Sequence, residues 1–297
     1  MPIISAESLS RSLTMNPAPS PADLIRRHLA CPKCRAELRV ENHRYVCISC
    51  GSEGELRDGV FLARPLSAGH YFDDMHCLMQ QGNESQEIQE MCYSQQSSVM
   101  TELIRPGDVV LDIGCGPIVH FERPDDCVVI GVDPSFESIR ANGQLDIRVF
   151  GNAESLPLRD RSVDRISLFY SIHHMVGQTK AETGANVTAA LRECGRVIRE
   201  GGTVVVFDMS PWWPVWQAER YAWNRARKTL ADKLDMFFWR DSALQRLASA
   251  AFSFKRFEAK NFRVSPFLVF PPVFSLPGLR VPRFLYPFDI KMYKWSF

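Results

Sequence analysis

The chain has 297 residues, 45% apolar and 11% aromatic, enough for a sizeable buried core and more than one typical domain. Its net charge of +1 argues against a generally polyanion-coating protein, and no stretch reaches the roughly 18 to 20 consecutive apolar residues of a membrane span. The charge is unevenly spread: from Pro211 to Phe297 there are fifteen Lys/Arg against six Asp/Glu, leaving the preceding residues with an acidic excess.

The first 22 residues, rich in Ser and Pro, predict a flexible tail without the apolar block of an export signal. With nine cysteines, an odd number, a disulfide framework is not expected, and the chain reads as cytoplasmic with reduced thiols. Over residues 23–66 four of these cysteines, Cys31, Cys34, Cys47 and Cys50, form C-x2-C-x12-C-x2-C. Each two-residue gap lets a tight knuckle turn two thiolates toward one tetrahedral ion, and AELRV and HRYVC alternate like the short strands that stack the knuckles. This spacing predicts a zinc ribbon with a closed, structural site; His43, between the knuckles, is expected on the surface. The following GELRDGVFLARP resembles the closing strand of Trm112-like ribbons.

Residues 67–210 alternate apolar runs with helix-like segments, the pattern of a parallel sheet with crossover helices, so the expected fold is α/β, a doubly wound Rossmann-like sheet. After VVLD, Gly114 and Gly116 permit close backbone approach to a ligand, and Asp133, ending VVIGVD, is placed to accept from a ribose diol. A glycine turn with a distal acid also suits NAD. Pro117 and Pro124 predict a short or irregular first crossover helix.

The blocks RPGDVVLDIGCGP, DDCVVIGVDPS, GNAESLPLRDRSVDRISLFYSIHHM and LRECGRVIREGGTVVVFDMSP together resemble class I S-adenosylmethionine-dependent methyltransferases of type 11, from about Glu90 to Pro211. The resemblance implies S-adenosylmethionine as cofactor. Asp112, Gly114, Cys115 and Gly116 would surround its methionine part, with the Cys115 thiol itself read as packing. Asp133 and Pro134 would lie at the ribose, Asn152, Ala153 and Glu154 near the adenine, and Tyr170 and Ser171 along the pocket. The HHM step and the acid after the fifth strand resemble small-molecule O-methyltransferases that tailor natural products. There His173 or His174 would be the base and Asp208 would orient or polarise the acceptor.

Residues 211–297 hold all six tryptophans and twelve of nineteen phenylalanines. A helical portion over about Val215 to Ala251 precedes a Pro-rich stretch, and the whole is read as a substrate cap with remaining core elements. Its positive charge suits a small or lipid-like, anionic substrate; a peripheral membrane surface and RNA are the competing partners. Three functions follow: a methyltransferase acting on a small or lipid-like molecule, chiefly at oxygen; an RNA methyltransferase whose ribbon reads nucleic acid; and a cofactor-binding interaction module without catalysis.

Overall fold

The sequence S-P-A-D opens the described chain. Ser20 and Asp23 form a reciprocal capping box and Pro21 takes the first helical position, which starts helix α1 (Pro21–His28). The helix therefore begins before the expected end of the tail at residue 22, and the capping box was the signal for it. The structure is a computed structural model that describes residues 20–66, 94–229, 236–262, 267–269, 280–282 and 287–297. Cys77, Cys92 and most of the Pro-rich C-terminal stretch lie outside the described residues.

Strands β1 (Leu38–Glu41), β2 (Arg44–Cys47) and β3 (Glu53–Arg57) form the antiparallel ribbon. Gly54 in β3 makes room for the Tyr45 ring: a Cβ there would lie 2.1 Å from it. Asp58 and Gly59, both at positive φ, turn the chain as a tight hairpin into β4 (Val60–Leu62). All three β4 residues are buried, as befits a strand covered on both faces.

Two regular blocks follow. The first is helix α2, described over residues 94–103; strands β5 (Val109–Ile113) and β6 (Val128–Asp133); α3 (Phe136–Ala141); and β7 (Ile147–Phe150). The second is β8 (Val163–Phe169), α4 (Lys180–Val197) and β9 (Ile198–Pro211). As the two prolines predict, the β5–β6 crossover is irregular, with no helix between residues 114 and 127. The cap region holds two helices rather than one, α5 (Trp213–Thr229) and α6 (Asp241–Ala251). Strands β10 (Arg256–Asn261), β11 (Phe267–Val269), β12 (Arg280–Pro282) and β13 (Phe288–Ser296) complete the described elements.

Eleven strands form one sheet in the order β1-β2-β3-β4-β7-β6-β5-β8-β9-β13-β10, parallel from β4 to β9, while β11 and β12 pair separately. The chain runs outward from β5 to β7, then restarts on the other side of β5 at β8. The crevice between the carboxyl ends of β5 and β8 is thus the topological switch point, where open α/β sheets take their ligands.

Both edges of the sheet come from outside the central blocks. The ribbon enters through β4, which pairs in parallel with β7 from Val60↔Arg148 to Leu62↔Phe150. The C-terminus enters through β13, which lies between β9 and β10 and carries the fully buried Tyr293 and Trp295. Ribbon side chains Ile25, Leu29, Leu38 and Phe61 share one apolar cluster with Val149, Leu158, Leu191 and Trp295, so ribbon and central sheet have a common core. No helix among the described residues is long and apolar enough to cross a membrane.

Candidate active site

Asp112, near the end of β5, is 1% exposed. Its Oδ1 accepts from Ser167 Oγ at 2.8 Å, while Oδ2 is buried without a partner among the described residues. Burial pushes this carboxyl up to about 7; the Ser167 hydrogen bond works against the rise and the neighbouring Asp133 charge adds to it. Beyond it Gly114 and Gly116 have φ of 69° and 57°, the left-handed region that favours glycine. A Cβ on Gly114 would lie 2.4 Å from Ser171 Cβ, so the turns after β5 and β8 touch only because the side chain is missing. Ser171 Oγ also donates to the Ile113 carbonyl at 2.9 Å.

Asp133 is held from two sides: Gly116 N–H reaches Oδ2 and Ser135 N–H reaches Oδ1, each at 2.8 Å. These bonds fix its carboxylate at the carboxyl end of β6, beside the glycine turn. Gly151 N–H donates to the Asp133 carbonyl, which brings Asn152 (exposed), Ala153 (buried) and Glu154 (half-buried) to the same corner. Pro134 is held there too, its carbonyl 3.4 Å from Arg64 Nη2 at the exit of the ribbon. Cys115 departs from its neighbours. Its side chain joins the apolar cluster under the sheet and burial holds the thiol protonated, in agreement with packing.

Across the crevice Tyr170 sits at φ 49°, uncommon for a bulky residue, with its N–H bonded to the Phe207 carbonyl at 2.8 Å. Its hydroxyl accepts from Gln96 Nε2 at 2.7 Å. Gln96 is fully buried on α2, and Asn142 Nδ2 braces the Gly116 carbonyl at 3.0 Å. The sequence offered no motif for either residue, because each meets the site through tertiary contact.

His173 lies in a 3-10 turn, Ile172–His174, directly after β8. Its Nδ1 is 2.7 Å from Asp208 Oδ1 on β9, and both side chains are about 5% exposed. An ionised carboxylate only accepts, so opposite one Nδ1 carries a proton, and in the neutral ring that tautomer leaves the lone pair on Nε2. Of the two predicted histidines, His173 is the one paired with Asp208; His174 lies beside it with ring centroids 4.2 Å apart.

The C-terminal region supplies the opposite wall. Phe237 N–H donates to the His173 carbonyl at 2.8 Å, and the Phe238 ring stands 5.1 Å from the His173 ring. Behind it Glu219 Oε1 accepts from Phe238 N–H at 3.2 Å, while Oε2 is buried without a partner among the described residues. Burial raises this carboxyl to about 8. Glu219 is a candidate that sequence reasoning missed: a single acid in an aromatic helix has no local signature.

At the other end of the sheet the four predicted cysteines converge, their sulfurs all within 4.8 Å of one another. Cys31 and Cys50 Sγ are 3.7 Å apart and Cys34 and Cys47 Sγ 3.4 Å, close to the roughly 3.8 Å edge of a tetrahedron with 2.3 Å metal–sulfur bonds. Backbone N–H groups of Cys50 and Ser49 lower the Cys47 thiol to about 6, while Cys34, against the opposing Ala36 N–H, is raised by its sulfur contacts with Cys47 and Cys50. His43 is exposed, as expected, and does not belong to the cluster. The first knuckle is tied to the central domain by Arg35, whose Nη2 is 2.9 Å from Glu193 on α4; the same buried carboxylate accepts from Leu156 N–H and Arg196.

Residues 111–206 match the family described as a methyltransferase domain. The chain is similar to the 27-O-demethylrifamycin SV methyltransferase of Amycolatopsis mediterranei, 32% identical over 117 residues, which cover 35% of this chain and 40% of that protein. It is also similar to the ubiquinone/menaquinone biosynthesis C-methyltransferase UbiE of Rubrivivax gelatinosus, 31% identical over 116 residues, with 36% and 42% covered. The chain thus spans about two fifths of the length of these curated relatives. Among solved structures, the complex between the Haloferax volcanii Trm112 methyltransferase activator and the putative methyltransferase aligns with a TM-score of 0.51 and 14% identity, covering 76% of this chain and 98% of that one. That likeness is one of fold. From Leu111 to Val206 the chain thus matches a methyltransferase-domain model, on a mostly parallel, Rossmann-like α/β sheet.

Proposed function

We propose that the protein is an S-adenosylmethionine-dependent methyltransferase acting at an oxygen of a small or lipid-like molecule. The observation that carries this reading is the buried His173–Asp208 pair, 2.7 Å apart, at the switch point beside the glycine turn. When bound, S-adenosylmethionine supplies an electrophilic methyl group on a sulfonium centre.

The residues present fit that cofactor. The partnerless Asp112 Oδ2 offers a buried carboxyl oxygen that the cationic methionine part would draw toward its ionised form, the Gly114–Gly116 turn would admit its chain, and Asp133 stands where a ribose diol would donate. On the acceptor side, Asp208 would hold His173 in the tautomer whose Nε2 can take the proton of an acceptor hydroxyl. Phe238 walls the acceptor and excludes water, and Glu219 is available to donate from its protonated form.

For the cysteine cluster we infer zinc, in a structural role, because four thiolates close the coordination shell. Through β4 and Arg64 the ribbon would support the sheet edge beside Asp133 and Pro134. Removing the metal by chelation is expected to lower the thermal midpoint of the whole chain in one transition, since the core is shared. A ribbon that melts alone, followed by an unchanged main transition, would contradict that dependence.

The functional proposal is tested by incubating the purified chain with methyl-labelled S-adenosylmethionine and host extract, then counting label in RNA, lipid, protein and small polar fractions. Label in the lipid or small-molecule fraction supports it. Label in RNA that disappears with ribonuclease replaces it with the nucleic-acid alternative, and no cofactor binding at all leaves only the interaction module.

A further inference from the structure

A second concave site lies on the helical face formed by α4, α5 and α6. It is a cavity of about 500 Å³, and Lys180 and Arg192 of α4, Arg220 of α5 and Arg246 of α6 all line it. No carboxylate does. Among the described residues none of the four cations is engaged in an ion pair. The acids on these helices are occupied elsewhere: Glu182 caps the start of α4, Glu193 binds Arg35 and Arg196, Glu219 turns to Phe238 N–H, and Asp241 pairs with Lys291.

Four like charges gathered around one hollow repel one another, so the arrangement stores an attraction for a polyanion. The rest of the lining is shaped for such a guest. Gly184 and Ala185 keep the α4 side low, and Trp216 and Trp239 form apolar walls. The Arg220 guanidinium stacks on Trp216 at 4.4 Å, which fixes its plane and leaves its N–H edge for oxygen acceptors. Both indole N–H groups are buried without an acceptor among the described residues, so these tryptophans contribute apolar ring surface to the hollow.

We propose that this groove binds a ligand bearing more than one phosphate negative charge, with an apolar portion against the tryptophans, at a place distinct from the His173–Asp208 crevice. Arg forks match phosphate oxygens in pairs, and several cations within one cavity favour a diphosphate over a lone carboxylate. The groove shares Phe237 with the crevice, since the ring lines the one and the N–H holds the His173 carbonyl of the other. The proposal is independent of the methyl-transfer reading.

The test is titration of the full chain with inorganic pyrophosphate, followed by tryptophan fluorescence and calorimetry. The comparison is the variant Arg192→Glu/Arg246→Glu, chosen because both side chains are exposed and the fold should survive. Saturable binding that weakens with salt, and falls by about tenfold or more in a variant of unchanged thermal midpoint, is expected. Equal affinity in the variant overturns the site. Vesicles of phosphatidylcholine with and without phosphatidic acid identify the source of the phosphate. Binding that requires phosphatidic acid and is lost in the variant assigns a lipid headgroup, and pyrophosphate binding without vesicle binding assigns a soluble ligand. Binding to neither probe refutes the proposal.

Discussion

On the proposed reading, the cofactor side of the crevice would be made from backbone and from acids seated at strand ends, whereas the acceptor side would be assembled from side chains delivered by separate elements. On the first side Asp112, Gly114, Gly116 and Asp133 lie on β5, β6 and the turn between them, and Asp133 is fixed by two backbone N–H groups. On the second, His173 follows β8, Asp208 comes from β9, Glu219 from α5 and Phe238 from the segment before α6. The contrast matches the chemistry required of each side. Gripping one constant molecule needs only a fixed turn and fixed charges, while selecting an acceptor needs side chains that vary without disturbing the sheet.

Substitutions that separate the two sides would sharpen this comparison. The largest effect is expected from His173→Ala: a fall in turnover of about 100- to 10,000-fold, with cofactor affinity by calorimetry unchanged. A wild-type rate would remove His173 from the chemistry. Next comes Asp133→Ala, which deletes the acceptor of Gly116 and Ser135 N–H and is expected to weaken cofactor binding about 100-fold or more. Unchanged affinity there would dissolve the division between the sides.

A smaller effect follows from Asp112. Its folded pKa of about 7 lies above the ordinary value near 4, so burial favours the neutral form. Its contribution to the stability of the cofactor-free protein therefore falls as pH rises from about 4 to about 7 and is level above that. A cationic cofactor pairs with the ionised form, so affinity should rise with pH, approaching about tenfold per unit below 7, and flatten above. Asp112→Asn should abolish the slope; a slope that survives in the variant would assign it to another group. The smallest change is expected from Glu219→Gln, which keeps the acceptor for Phe238 N–H but alters the partnerless oxygen. A shift of about two- to fivefold in acceptor KM, without change in cofactor affinity, would place Glu219 on the acceptor wall. An altered cofactor affinity would remove it from that wall.

The pairing of β4 with β7 shows what a strand pattern cannot carry. The apolar run VFL reads as the end of a ribbon, and nothing local tells that its free edge meets Ile147–Phe150 across about ninety residues of chain. Trp295 is similar: in a segment read as cap with remaining core elements, nothing local marks it as a fully buried residue of an interior strand. Glu193 and Gln96, both buried hubs, look like ordinary helix residues until the partners Arg35 and Tyr170 arrive.

By itself the sequence determined the α/β class, the spacing of the four cysteines, the glycine turn with its two acids and the irregular first crossover. Each is dictated within a few residues by steric rules, metal geometry or strand periodicity. Tertiary structure alone decided which histidine pairs with Asp208, that ribbon and central sheet share a core, and that four cations face one hollow. Those are contacts between residues distant in the chain, and the free energy that selects them is gained only when the elements pack together.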